Sequence, residues 1–106
     1  SDRPNILFLF TDQQRADTIA ALGNPVIHTP NLDRLVREGT SFTRCYTPSP
    51  VCMPARYATL TGLSPHLSGC TDNQSALDLN RTTYASLLSG AGYVAVPRGR
   101  WRYRNP

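Results

Sequence analysis

Ile6-Leu7-Phe8-Leu9-Phe10 runs without a polar break into Thr11-Asp12-Gln13-Gln14, and this stretch decides the fold class. A half-buried strand alternates apolar and polar side chains. An unbroken, β-favouring run reads instead as a strand covered on both faces, as in a parallel sheet. Its polar end then falls at the strand's C-terminal edge, where open α/β sheets bind ligands. Asp12 at that edge has two readings, an acid that ends a strand and caps a turn, or a metal ligand.

Working outward, Thr29-Pro30 is a helix start, with Thr29 able to cap and Pro30 suited to the first helical position. Leu32, Leu35 and Val36 follow as an apolar stripe at helical spacing, closed by Gly39. Residues 40–46 read as a second strand, and Pro48-Ser49-Pro50 interrupts regular structure after it. A helix is expected over 54–60 with Gly62 as its stop. Another is expected over 83–88, ending at Gly90 or Gly92, before a short strand at 93–96. Alternating strands and helices predict an α/β fold: part of a doubly wound, mostly parallel sheet flanked by helices. Neither an internal repeat nor a linker divides the chain.

The densest chemistry lies in Cys52-Met53-Pro54-Ala55-Arg56, followed by Leu60-Thr61-Gly62. Cys52 is placed at or just before a helix N-terminus, where free N–H groups and the positive end of the helix dipole attract anions and favour a thiolate. Arg56 lies four residues on, one turn away on the same face, and could offset negative charge beside residue 52. Read alone, the five residues are a helix with a buried Cys and a surface Arg.

Their surroundings resemble the sulfatase family, within the alkaline-phosphatase-like superfamily, from about Pro4 to about Arg102. Pro4 to Asp12 is similar to the family's first strand. Thr29-Pro30-Asn31-Leu32-Asp33-Arg34-Leu35, then Glu38 to Phe42, resembles its T-P-N-L-D-x-L helix and turn. Tyr46 to Gly62 resembles the nucleophile loop, and Leu87, Gly92-Tyr93 and Gly99-Arg100-Trp101-Arg102 fall where members carry L-x-x-x-G-Y and G-K-W-H. The resemblance implies that a formylglycine-generating enzyme oxidises Cys52 to formylglycine, reading Pro54 as part of its pattern. The hydrate's first hydroxyl attacks the sulfur of a sulfate ester, on a small molecule or a glycan, and its second expels sulfate. Arg56 is implied as stabiliser of the developing charge. Asp12, Gln13 and the oxygen formed at residue 52 are implied as ligands of a hard divalent cation, Ca²⁺ first and Mn²⁺ or Mg²⁺ as alternatives. Arg100 and His66 are candidate substrate-binding residues, and Asp72-Asn73 is given no role. Arg102 departs from the family's His and cannot carry a proton in the working range. The same constellation serves phosphonate and phosphate monoester hydrolases.

Family members are several times longer than these 106 residues. The chain therefore reads as the N-terminal fragment of a sulfatase catalytic domain over 1–106, with an arginine-rich tail at 97–106. A catalytically inactive fragment or a binding module is the alternative function. Apolar sheet surface left uncovered would favour oligomers. All 11 basic residues are Arg, and Arg98, Arg100, Arg102 and Arg104 account for the whole net charge of +4. The positive charge is thus a property of the tail, read as an exposed end in preference to a nucleic-acid contact. Cys45, Cys52 and Cys70 show no zinc spacing. Cys45 and Cys70 could pair in an oxidising compartment but read first as two buried, inert thiols. Asn73-Gln74-Ser75 and Asn80-Arg81-Thr82 are formal glycosylation sequons. No apolar run is long enough to span a bilayer. Ser1-Asp2-Arg3-Pro4 lacks a leader's pattern, which fits a soluble protein in the cytoplasm, or one in the periplasm or secreted after leader removal.

Overall fold

A computed structural model of the chain describes residues 2–99. It divides into two compact units, one up to Arg44 and one from Cys45 onward. Regular structure in the described residues is helical: a 3-10 turn at Ala20–Leu22, then α1 (Pro30–Glu38), α2 (Cys52–Thr61), α3 (Pro65–Ser68) and α4 (Tyr84–Gly90).

In the first unit the 3-10 turn packs against α1. Pro30 opens α1 as expected, but Thr29 does not cap it through its side chain. The Thr29 hydroxyl accepts from the Ala20 N–H at 2.9 Å and donates to Asp33 Oδ1 at 2.9 Å. Asp33 Oδ1 in turn accepts from the Ala21 N–H at 2.9 Å. Thr29 and Asp33 thus serve the donors of the preceding turn, with the hydroxyl spent across the connection rather than on α1's own N–H groups. Leu32 and Val36 are half-buried, while Leu35 is exposed.

The segments expected as strands, 6–10, 40–46 and 93–96, form no ladder among the described residues. The described residues therefore do not show the expected sheet, for a physical reason. A strand exists through hydrogen bonds to a neighbouring backbone, so an apolar run alone does not make one. Ile6 to Phe10 remain 53–82% exposed, and the rings of Phe8 and Phe10 stack at 5.7 Å, as two side chains on one side of an extended backbone can.

The second unit is built around α2. Met53 and Tyr57 of that helix, with Cys70, form the buried apolar cluster, and Leu77 packs on it. Pro54 is fully buried beside them. The helix starts at Cys52, two residues earlier than the expected 54, and Gly62 stops it in the left-handed conformation at φ 72°, donating its N–H to Ala58. Ser64-Pro65 opens α3 in the same way that Thr29-Pro30 opens α1, with proline at the first helical position. Thr83 and Ser86 form a reciprocal capping box on α4, each side chain taking the other's backbone N–H at 3.1 and 3.0 Å. Cys70 is buried but Cys45 is exposed, and both are free thiols. The expectation of two buried thiols holds for Cys70 alone. Among the described residues no helix is long and apolar enough to cross a membrane.

Candidate active site

Cys52 is exposed at the first position of α2. The first bond of the helix's own ladder runs from the Ala55 N–H to the Val51 carbonyl at 2.9 Å. Cys52, Met53 and Pro54 therefore precede the ladder, and Pro54 has no N–H. The Met53 N–H is taken by Asn73 Oδ1 at 2.9 Å, across twenty residues of sequence. Arg56 follows four residues after Cys52 in continuous helix and is half-buried. Residue 52 thus stands at a helix N-terminus with a guanidinium-bearing residue one turn behind it, an arrangement that suits an anionic group.

Below the first turn, the Tyr57 hydroxyl donates to the Asp78 carbonyl at 2.7 Å. Burial raises the Tyr57 pKa against the opposing pull of Arg81. Burial likewise pushes the Cys70 thiol up, and the charge of Asp72 adds to it. The Asp72 carboxylate is held below its usual range by the Gln74 N–H and then by the Ser75 hydroxyl. Those contacts, at 2.8 and 3.0 Å, fold 72–75 into the turn that presents Asn73.

His66 is exposed on α3, its Nδ1 at 3.1 Å from Ser64 Oγ. Asp12 and Gln13 are exposed and belong to the first unit, whereas Cys52, Arg56 and His66 belong to the second. Gln13 is the non-glycine residue with a positive φ, 55°, in the described part of the chain. The residue after Asp12 therefore turns the chain at the point where the expected strand ends. Arg100 lies outside the described residues, as does the tail from 100 onward.

Asp12 and Gln13 carry three side-chain oxygens between them, against the roughly six to eight that calcium takes. Among the described residues no three His, Cys, Asp or Glu side chains gather as a metal site would need. The donor set present does not by itself fit a divalent cation. Sequence reasoning also missed Asn73. Its signal was available in part, because Asp72-Asn73-Gln74-Ser75 is a turn-forming run, but its partner twenty residues earlier was not legible.

The Sulfatase family profile matches residues 4–104. An N-acetylglucosamine-6-O-sulfatase of Bacteroides thetaiotaomicron is 38% identical over 99 residues, covering 93% of this chain and 18% of that protein. An arylsulfatase of Clostridium perfringens is 39% identical over 92 residues, covering 86% of this chain and 19% of that protein. Human arylsulfatase A is 35% identical over 104 residues, covering 92% of this chain and 20% of that protein. The chain belongs to the sulfatase family, whose members generally depend on formylglycine and a metal. It spans about a fifth of the length of the curated relatives it matches.

Proposed function

We propose that this chain carries the nucleophile segment of a sulfuric ester hydrolase, with residue 52 as nucleophile once a formylglycine-generating enzyme has oxidised it. The observation that carries the reading is the exposed Cys52 at the first position of α2, with Arg56 one turn on. Oxidation of the side chain from CH₂SH to CHO needs an external oxidant, supplied during maturation, and water then adds to the aldehyde. One hydroxyl oxygen at residue 52 attacks sulfur while the ester S–O bond breaks and the alcohol leaves with a proton. The other hydroxyl then loses its proton, the bond from carbon to the sulfate oxygen breaks, and the carbonyl re-forms as sulfate departs. The Arg56 guanidinium offsets charge on the sulfuryl oxygens during both steps.

The fold expected of the complete domain is the doubly wound α/β sheet of the alkaline-phosphatase-like superfamily, with 1–106 as its N-terminal part. Asp12 and Gln13 are candidate oxygen ligands of a hard divalent cation, Ca²⁺ first. Because the chain spans about a fifth of its relatives' length, the reading assigns turnover to the assembled domain rather than to this chain alone. Arg100 and His66 remain candidates for substrate oxygens, and the substrate is a sulfate ester on a small molecule or a glycan. The exposed run from Ile6 to Phe10 gives the isolated chain a surface for self-association.

Sulfate release from an aryl sulfate tests the reading. The converted chain is assayed alone and with the C-terminal part of a sulfatase, beside Cys52→Ala and Arg56→Ala. The reading requires release from the combined protein, none with Cys52→Ala, and a loss of about a hundredfold or more with Arg56→Ala. Release that survives Cys52→Ala would refute it.

A further inference from the structure

The N-cap position of α2, Val51, has no side-chain oxygen to offer, and no side chain caps the helix from that position. Within the first turn Pro54 removes one donor by its chemistry. Asn73 Oδ1 takes another, the Met53 N–H, at 2.9 Å. Among the described residues the Cys52 N–H is then the first-turn donor left without a partner.

The supplier of the cap is itself held in place. Asp72 Oδ1 accepts from the Gln74 N–H at 2.8 Å and from the Ser75 hydroxyl at 3.0 Å. Ser75 Oγ accepts from the Thr71 and Asp72 N–H groups at 3.1 and 3.2 Å. Two residues before Asp72 and three before Asn73, Cys70 is anchored in the cluster with Met53 and Tyr57. A hydrogen-bonded turn fixed to the underside of α2 therefore returns an amide oxygen to its first turn. A mobile loop could not hold a helix end in this way.

We propose that Asn73 is a positioning residue for Cys52. By closing the Met53 N–H from outside the helix, it fixes the first turn of α2 and leaves the N–H of residue 52 as that turn's open donor. The proposal deepens the reading of Cys52 as nucleophile and rests on it for the word positioning. The cap itself does not depend on that reading.

Amide hydrogen exchange on the unmodified thiol form of the full 106-residue chain tests the cap without requiring conversion or turnover. Asn73→Ala should speed exchange of the Met53 amide about tenfold, with the α4 amides Leu87 to Gly90 unchanged. Asn73→Asp keeps an oxygen acceptor at the same reach and should restore Met53 protection. This rescue separates the specific bond from a general loosening of the loop. Alkylation of Cys52, measured relative to the exposed Cys45, should shift severalfold with Asn73→Ala and return towards the wild-type ratio with Asn73→Asp. Met53 exchange unchanged by Asn73→Ala, faster exchange with no rescue by Asn73→Asp, or an unmoved alkylation ratio would each overturn the proposal. A chain that passes these tests yet is never converted at Cys52 refutes the proposed function and leaves the cap standing.

Discussion

The phenol of Tyr57 donates to the backbone carbonyl of Asp78 at 2.7 Å, tying the buried face of α2 to the segment that leads to α4. Tyr57 is only 4% exposed, so its hydroxyl reaches a partner while its ring fills the small core. Tyr57→Phe keeps the ring but removes this bond, leaving the carbonyl only the longer Arg81 N–H contact at 3.4 Å, and it should cost about 1 kcal/mol. Tyr57→Ala also opens a cavity and should cost about 3 kcal/mol or more. Denaturant unfolding followed by far-ultraviolet circular dichroism checks both, and equal effects would show that the hydroxyl rather than the ring carries the contribution.

The titrating groups define a pH window. Cys70 and Tyr57 have folded-state pKa values raised from 9.0 and 10.0 by burial. Their protonated forms are favoured in the folded chain, so their contribution is full below pH 9 and is lost as the unfolded chain begins to deprotonate above it. Asp72 is lowered from 3.8 by its hydrogen bonds. Its contribution is present above that pH and is lost as pH falls through the folded value. Stability should therefore plateau between the two limits. Cys70→Ala should flatten the alkaline limb, and Asp72→Asn should flatten the acid one.

Thiol reactivity should divide as burial does. Iodoacetamide under native conditions should label Cys45 and Cys52, which are exposed, and spare Cys70 until the chain unfolds. Peptide mass spectrometry reads the pattern directly. Early labelling of Cys70 would mean that the cluster with Met53 and Tyr57 is not formed.

Gln13 occupies the left-handed region at φ 55°, where a β-branched side chain is disfavoured and Asn or Gly is tolerated. Gln13→Val should destabilise the first unit by about 1–2 kcal/mol, while Gln13→Asn should leave it within about 0.5 kcal/mol. Limited proteolysis up to Arg44 reports the difference. Equal resistance of the two variants would place the turn elsewhere.

Helices were more legible than sheet in this sequence. Pro30 and Gly39 bracket α1 as their residue types require, and the stop at Gly62 was readable from its place after Leu60-Thr61. Thr29 was misread because a hydroxyl's choice between its own helix and a neighbouring turn depends on contacts across Ala20 and Asp33. The run from Ile6 to Phe10 carries a strand's composition, but pairing depends on partners that no local pattern contains. At the site, i,i+4 spacing put Cys52 and Arg56 one turn apart on the same face, and the family resemblance gave them their roles. Asn73 was not legible, since a hydrogen bond spanning twenty residues leaves no periodic trace.

The most direct test of the central claim is the mass of the peptide containing Cys52, from chain expressed in a host that contains a formylglycine-generating enzyme. Conversion of CH₂SH to CHO lowers the mass by about 18 Da, and this account predicts that shift on the Cys52 peptide with none on those of Cys45 and Cys70. An unmodified thiol at residue 52, in a host shown to convert another sulfatase, would contradict the account.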